Sequence, residues 1–417
     1  MKCLSTILFV FFAFYLHGQI VDIPDANFKQ TLIDLGVDTN NNNDIEESEA
    51  LELTALSVFQ KSIVSLKGIG KFTNLRSFTF SKNFVATVDL SDLINLEVIA
   101  GSENLLTNII YPSSENLRIV NVRDNRLNDL VFGDVPNLSF LNYSQNPIED
   151  LDLSAYTNLE SLFCFNCLLT DIDLSQNTKL EELIVNDNVL NNLNLNTTIQ
   201  LKRLNCSSNK FGVLDLSNLV NLIQLDCDDN QLEVLDLSNN IVLEELYCDR
   251  NNIQNLDCSF SNVFSILFCQ ENDIRRLNIK NGNDEIALDF SLNPNLSFIC
   301  ADSTQIPTVT VLASNSNYTN LAISTDCSTV VSSESIEDLS SDIELFPNPT
   351  FGSVTINSNI GFNEIWIRTT EGELMKSKKF DQAIFSHEII MENFPSQMYI
   401  IGVNQGDHIV HYKLLKQ

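Results

Sequence analysis

Apolar and polar positions along most of the chain recur with one long period, not with the short periods of a lone helix or strand. Within each unit they fall as Leu-x-x-Leu-x-(Cys/Val/Phe)-x-x-Asn-x-(Leu/Ile), as in Leu201, Leu204, Cys206 and Asn209, and again in Leu222, Leu225, Cys227 and Asn230. The Asn stands at 83, 104, 125, 146, 188, 209, 230, 251, 272 and 293, in steps of 21 with one step of 42 across Cys167. A second apolar pair follows, as in Leu151-Asp152-Leu153-Ser154, Leu214-Asp215-Leu216-Ser217 and Leu235-Asp236-Leu237-Ser238. It predicts a short extended segment on the outer side of each turn instead of a long helix. Leu53, Leu56 and Val58 read as a first, degenerate turn. One turn cannot bury its own apolar face, so turns stack and each Leu position becomes a column in a continuous core. The Asn takes the chain off the strand, and its amide is suited to bond backbone groups of adjacent turns.

This pattern resembles the leucine-rich-repeat family over residues 53–300. The resemblance implies a mostly β fold, a solenoid of about 11 turns of 21 residues. It also implies that Cys is tolerated at position 167 in the Asn column. Strand alternation then assigns directions: if the residues five and three before each Asn point inward, those six, four and two before it face the concave surface. That parity puts Phe140, Phe163, Phe165, Ile184, Tyr247 and Phe268 outward, with Asp226, Asp228, Glu245 and Asp249 as an acidic cluster beside Tyr247. These ten residues are the candidate ligand-binding set. Exposed aromatics on a rigid sheet suit interface anchors; the alternative is that they only stack along the sheet and stabilise neighbouring turns.

An open solenoid needs caps. Residues 20–52 supply the first: Pro24 opens a helix with Phe28, Leu32 and Leu35 on one face and Gly36 at its stop. The loop Asp38 to Glu49 resembles an EF-hand calcium loop, and the resemblance implies one Ca2+ held by Asp38, Asn40, Asn42, the Asp44 carbonyl, Glu46 and Glu49. It departs from that pattern at Asn43, where Gly is expected, although Asn tolerates a left-handed backbone. The alternative is an Asn-rich capping loop. Residues 301–327 form the second cap, and Cys300 with Cys327 is the disulfide candidate in a chain sent to an oxidising compartment. Residues 328–342, Ser-rich and acidic, read as a linker.

Residues 343–417 carry a different pattern, opening on Leu345-Phe346-Pro347-Asn348-Pro349-Thr350 with Gly352 and closing on Lys413-Leu414-Leu415-Lys416-Gln417. They resemble the type A C-terminal sorting domain of the bacterial type IX secretion system. The resemblance implies a small β-sandwich domain read by the outer-membrane machinery and then removed, with an immunoglobulin-like module as the alternative.

Composition narrows the partners. A formal charge of −31 repels phosphate backbones, so nucleic acid is a poor partner. Lys2 and the apolar run Leu4 to Leu16 predict a cleaved signal peptide over residues 1–19, and no other long apolar stretch predicts a transmembrane segment in the mature chain. His17 lies in the signal, while His387, His408 and His411 lie in the sorting domain, so the repeats lack histidine-based catalysis. Cys164, Cys206, Cys227, Cys248 and Cys269 share one inward column and read as core packing instead of metal ligands; Cys258 reads the same. No catalytic set emerges, and the chain is read as a non-enzyme. The expectation is a secreted or surface-exposed recognition protein, exported through the periplasm by the type IX machinery. It would bind an extracellular protein or glycan on its concave face, with a structural matrix component without a selective ligand as the alternative and an enzyme as a minor third.

Overall fold

The structure, a computed structural model, describes residues 18–327, 343–346, 350, 352–369, 374–391, 393–395, 397–404 and 409–416. The apolar run of the signal peptide, the linker, Pro347-Asn348-Pro349 and His408 lie outside the described residues. The chain divides into two compact units, residues 1–329 and 330–417.

In the first unit a parallel sheet of twelve strands, each three residues long, runs from Ala55–Ser57 to Ala287–Asp289. Register follows the repeat: Leu204 pairs with Leu183 on one side and Leu225 on the other. The eleven regular positions of the Asn column account for all strands but the first. That one is the degenerate turn, whose Leu56 pairs with Phe78 across a spacing one residue longer. Leu141, Leu162, Leu183, Leu204, Leu225, Leu246 and Leu267 are all buried, so each strand stabilises its neighbours by covering their apolar faces. The next inward column holds Phe80, Gly101, Val122, Tyr143, Cys164, Val185, Cys206, Cys227, Cys248, Cys269 and Phe290. Small side chains fill its middle, and burial pushes the thiols of Cys164, Cys206, Cys227, Cys248 and Cys269 up, keeping them protonated and unreactive. Tyr143 fits because its hydroxyl meets that of Tyr111 at 2.9 Å.

The Asn column satisfies the corners. Asn209 Nδ2 donates to the carbonyls of Val185 at 3.0 Å and Cys206 at 3.2 Å, while its Oδ1 accepts from Leu190 N at 3.0 Å. At Cys167 the thiol only reaches the Tyr143 and Phe165 carbonyls at 3.7 Å, and Ile148 N, deprived of an amide oxygen, bonds to Asn146 O instead. The residue before each column position, from Lys82 to Leu292, has a positive φ near 50–60° without being glycine. On the outer side, short strands pair only locally, Thr87–Asp89 with Asn108–Ile110, and Asn255–Asp257, Arg276–Asn278, Phe298–Cys300 and Ala322–Ser324 in sequence. Between them the Asp of each Leu-Asp-Leu-Ser closes a turn: Asp152 Oδ1 accepts from Ser154 N at 2.9 Å, and Asp215 from Ser217 N at 3.0 Å.

At the first end a helix spans Ala26–Asp34, capped by Asp25, whose Oδ1 accepts from Phe28 N while Oδ2 accepts from Val64 and Ser65 N. One carboxylate thus ties the cap to the first turn. Phe28 and Leu32 are buried, but Leu35, expected on the same face, is the C-cap residue and is 53% exposed, because the helix ends before its face turns inward. At the far end the helix Ile306–Asn315 buries Val309 and Ala313 against the core, and a disulfide joins Cys300 to Cys327.

The second unit is one antiparallel sheet of five strands, in which the 17-residue strands Ser353–Thr369 and Leu374–Ile390 are shared by two halves. Pairing between them shifts register around Asn357 to Glu364. Val354 and Ile356 from one half share a single core with Ile367, Tyr399, Ile401 and Leu414 from the other. The two faces expected of a sandwich are thus halves of one sheet with an irregular middle, because bulges let a long strand change direction. Among the described residues no helix is long and apolar enough to cross a membrane.

Candidate functional site

Each three-residue strand turns its central apolar residue, Leu in most of them, towards the core and its flanking residues to the other face of the sheet, and every strand is paired on both sides except at the ends. Two aromatic groups form there. Phe140 and Phe163 meet at 5.3 Å between centroids, Ile184 lies beside Phe163 on the next strand, and the Arg123 guanidinium lies 5.1 Å from the Phe165 ring. Further along, Tyr247 and Phe268 stack at 5.5 Å with 6° between their planes. Their column continues as Asp226 before Tyr247 and Asp289 after Phe268, so a stacked pair is bracketed by carboxylates. Tyr247 Oη donates to Glu245 at 3.3 Å. All six outward apolar residues are half-buried.

Asp249 is the correction to the ten-residue set. It is 6% exposed, because Arg250 reaches from the adjacent corner to the carboxylates of Asp228, Asp229 and Asp249 together. The alternation rule did not single out Arg250, since it occupies the positive-φ corner and not a strand; its opposition to Asp229, one period earlier, was the available signal. The clamp leaves Asp226 outside. Its Oδ2 accepts from Asn205 Nδ2 at 2.9 Å, while its buried Oδ1 has no donor in the ionised form. Burial, followed by the hydrogen bond and charge of Asp228, pushes the Asp226 carboxyl up to about 8, so that near neutral pH a proton is held between the two acids. Gln270 Oε1, on the strand end after Phe268, is a second buried acceptor without a donor.

In the cap loop Asp38, Glu46 and Glu49 are buried. Asp38 accepts from Asn42 and Asn43 N, and Asn43 takes φ 63°, a left-handed conformation. Asn40 and Asn42 Nδ2 donate to Glu46 at 3.1 and 2.6 Å. The Asp44 side chain turns away to Lys29 at 2.7 Å. Glu49 also turns aside: its carboxylate accepts from Thr39 N and Oγ1 and, as a capping box, from Glu46 N. Burial opposes ionisation, but these hydrogen bonds outweigh it and hold the Glu49 carboxyl down at about 2. Among the described residues no three His, Cys, Asp or Glu side chains converge as a metal-holding group. In the loop as it stands, Glu49 is engaged by Thr39 and Glu46.

Residues 344–417 match the family model of the secretion system C-terminal sorting domain. The second unit is a type IX sorting domain. It marks the chain for export to the cell surface or beyond. Within this sorting domain Trp366 pairs with Gly402, and the indole lies where a side chain at 402 would stand. The Tyr399 hydroxyl donates to Pro395 O at 3.0 Å.

The chain is also similar to the functional domain of InlJ from Listeria monocytogenes, which includes a cysteine ladder. The TM-score is 0.50 and the identity 21%, over 96% of this chain and 98% of that one. A leucine-rich-repeat protein of Leptospira interrogans is similar at 18% identity and TM-score 0.48, over 63% of this chain and 81% of that one. At 21% identity the likeness to the InlJ domain is one of fold alone; the repeat register and sheet order are those of a leucine-rich-repeat solenoid. No curated protein matches the sequence.

Proposed function

We propose that the solenoid is an extracellular recognition module that the sorting domain carries through the outer membrane. The observation that supports this reading is the pairing of half-buried aromatic side chains across strands of a rigid concave sheet, Phe140 with Phe163 and Tyr247 with Phe268. Such groups give up little conformational entropy on binding and bring a large apolar area. The ligand is an extracellular protein or glycan, and no enzymatic step is assigned.

The test uses the full chain on an array of extracellular proteins and glycans. Phe163→Ala and Tyr247→Ala are each expected to weaken binding of a captured ligand by about 2 kcal/mol or more while leaving the fold intact. Leu225→Ala is expected to do the reverse, costing roughly 2–5 kcal/mol of stability through a core cavity. If the aromatic variants bind unchanged, the rings serve only to tie neighbouring strands together, and the structural reading replaces this one.

Two supporting proposals complete it. The sorting domain acts as a removable address, so a chain lacking residues 343–417 is expected to fold and remain in the periplasm. The cap loop binds one Ca2+ through Asp38, Asn40, Asn42, the Asp44 carbonyl, Glu46 and Glu49, the ion drawing Glu49 from its cap. The ion would neutralise three buried carboxylates that share no cationic side chain.

A further inference from the structure

We propose that the row Asp226, Tyr247, Phe268 and Asp289 receives a basic side chain, arginine foremost, from a polypeptide partner. This inference rests on the recognition reading and names the chemistry of one part of that face. Three observations converge on it. The row places two stacked rings between two carboxylates on four consecutive strands. Two buried side-chain oxygens beside the rings, Asp226 Oδ1 and Gln270 Oε1, receive no hydrogen bond from any protein donor, and Asp226 has only the proton it holds towards Asp228. Arg250 is committed to Asp228, Asp229 and Asp249, and Arg203, on the strand paired with that of Asp226, is committed to Glu182, which leaves Asp226 with a protonated carboxyl instead of a salt bridge.

Chemistry separates the possible occupants. A metal ion needs several converging anionic ligands, and none assemble here. A neutral glycan would use the rings but leave the carboxylates without a counter-charge, and an acidic one would be repelled by a chain of formal charge −31. A guanidinium uses both features: it stacks on an aromatic face and offers five donors in a planar fork. Asp226 and Gln270 are only half-buried, so a side-chain rotation turns the orphan oxygens to the incoming group. On binding, the proton held by Asp226 leaves to solvent and the carboxylate pairs with the ligand cation.

The experiment uses the full chain and an array of short peptides identical except at one central residue, which is Arg, Lys, citrulline or Glu. Citrulline keeps the planar shape and loses the charge. Arg peptides are expected to bind best and citrulline about tenfold more weakly or worse. Asp226→Asn and Tyr247→Ala should each remove the preference for Arg, whereas Asp152→Asn, on the outer face, should not. Equal binding of Arg and citrulline, an equal effect of Asp152→Asn, loss of binding on chelation of metal ions, or no Arg peptide bound at all would each overturn the proposal. If Phe163→Ala abolishes binding of an array-captured ligand while Asp226→Asn leaves it intact, this inference fails and the recognition reading stands. If neither variant matters, both fail.

Discussion

The phenyl ring of Phe80 lies across Gly101, filling the volume that a Cβ at residue 101 would occupy. The two residues stand in the same inward column on neighbouring turns, and Phe80 is wholly buried. A side chain at 101 therefore has to displace an aromatic ring in a closed core. Gly101→Ala is expected to lower stability by about 1–3 kcal/mol through overpacking. Phe80→Leu in the same chain should recover part of that loss, and chemical denaturation of the two single variants and the double variant measures the coupling.

The Asn column predicts effects of opposite sign at two positions. Asn209→Ala takes the acceptor from the buried Leu190 N and one donor each from the Val185 and Cys206 carbonyls, which keep those of Asn188 and Asn230, and should cost about 1–3 kcal/mol. Cys167→Asn supplies an amide where the thiol makes only long contacts, and should raise stability by about 0.5–1.5 kcal/mol. Thermal unfolding decides both. A lower melting temperature for Cys167→Asn would mean that the local bond from Ile148 N to Asn146 O already satisfies that corner.

Asp226 makes stability depend on pH in a stated direction. Its carboxyl is raised from 3.8 to about 8 in the fold, first by burial and then by Asp228, so between those values the folded chain holds a proton that the unfolded chain has lost. The contribution is complete below the unfolded value, falls as pH rises, and is gone above about 8. Asp226→Asn cannot titrate. Its melting temperature should fall less steeply with pH than that of the parent chain, and should exceed it on the alkaline side. Glu245, Asp228, Asp249 and Arg250 remain in both proteins, so the difference between the two melting curves isolates Asp226. Parallel curves would remove Asp226 as the titrating group.

Calcium should raise the melting temperature of the cap, since a ligand bound only by the folded loop stabilises it by mass action, about 2.7 kcal/mol at a hundredfold excess over the dissociation constant. Glu49→Gln, which removes a bidentate charged ligand, should abolish the rise. Identical melts with calcium and with chelator would leave Glu49 as a capping-box residue and nothing more.

Periodicity carried most of the architecture, because in a solenoid the neighbours of a residue are its own equivalents one turn away. The 21-residue spacing was enough to put Leu225 inward and Asp226 outward, to align Asn209 with Asn230, and to read the Cys206 to Cys269 column as packing. The Cys300–Cys327 bridge was legible for the complementary reason: of the cysteines outside the signal region, these two fit no buried column. Tertiary structure decided what the period leaves open, namely which of several equivalent partners a side chain takes. Arg250 could have served any nearby acid; it gathers three, buries Asp249 and strands Asp226 with a proton. Glu49 could have faced the loop's other carboxylates, and the capping box holds it instead. A glycine in a hydrophobic column carries no mark in the sequence of the ring that fills its space. Such choices are settled by competition for one cation, one donor or one volume, and that competition exists only once the turns are stacked.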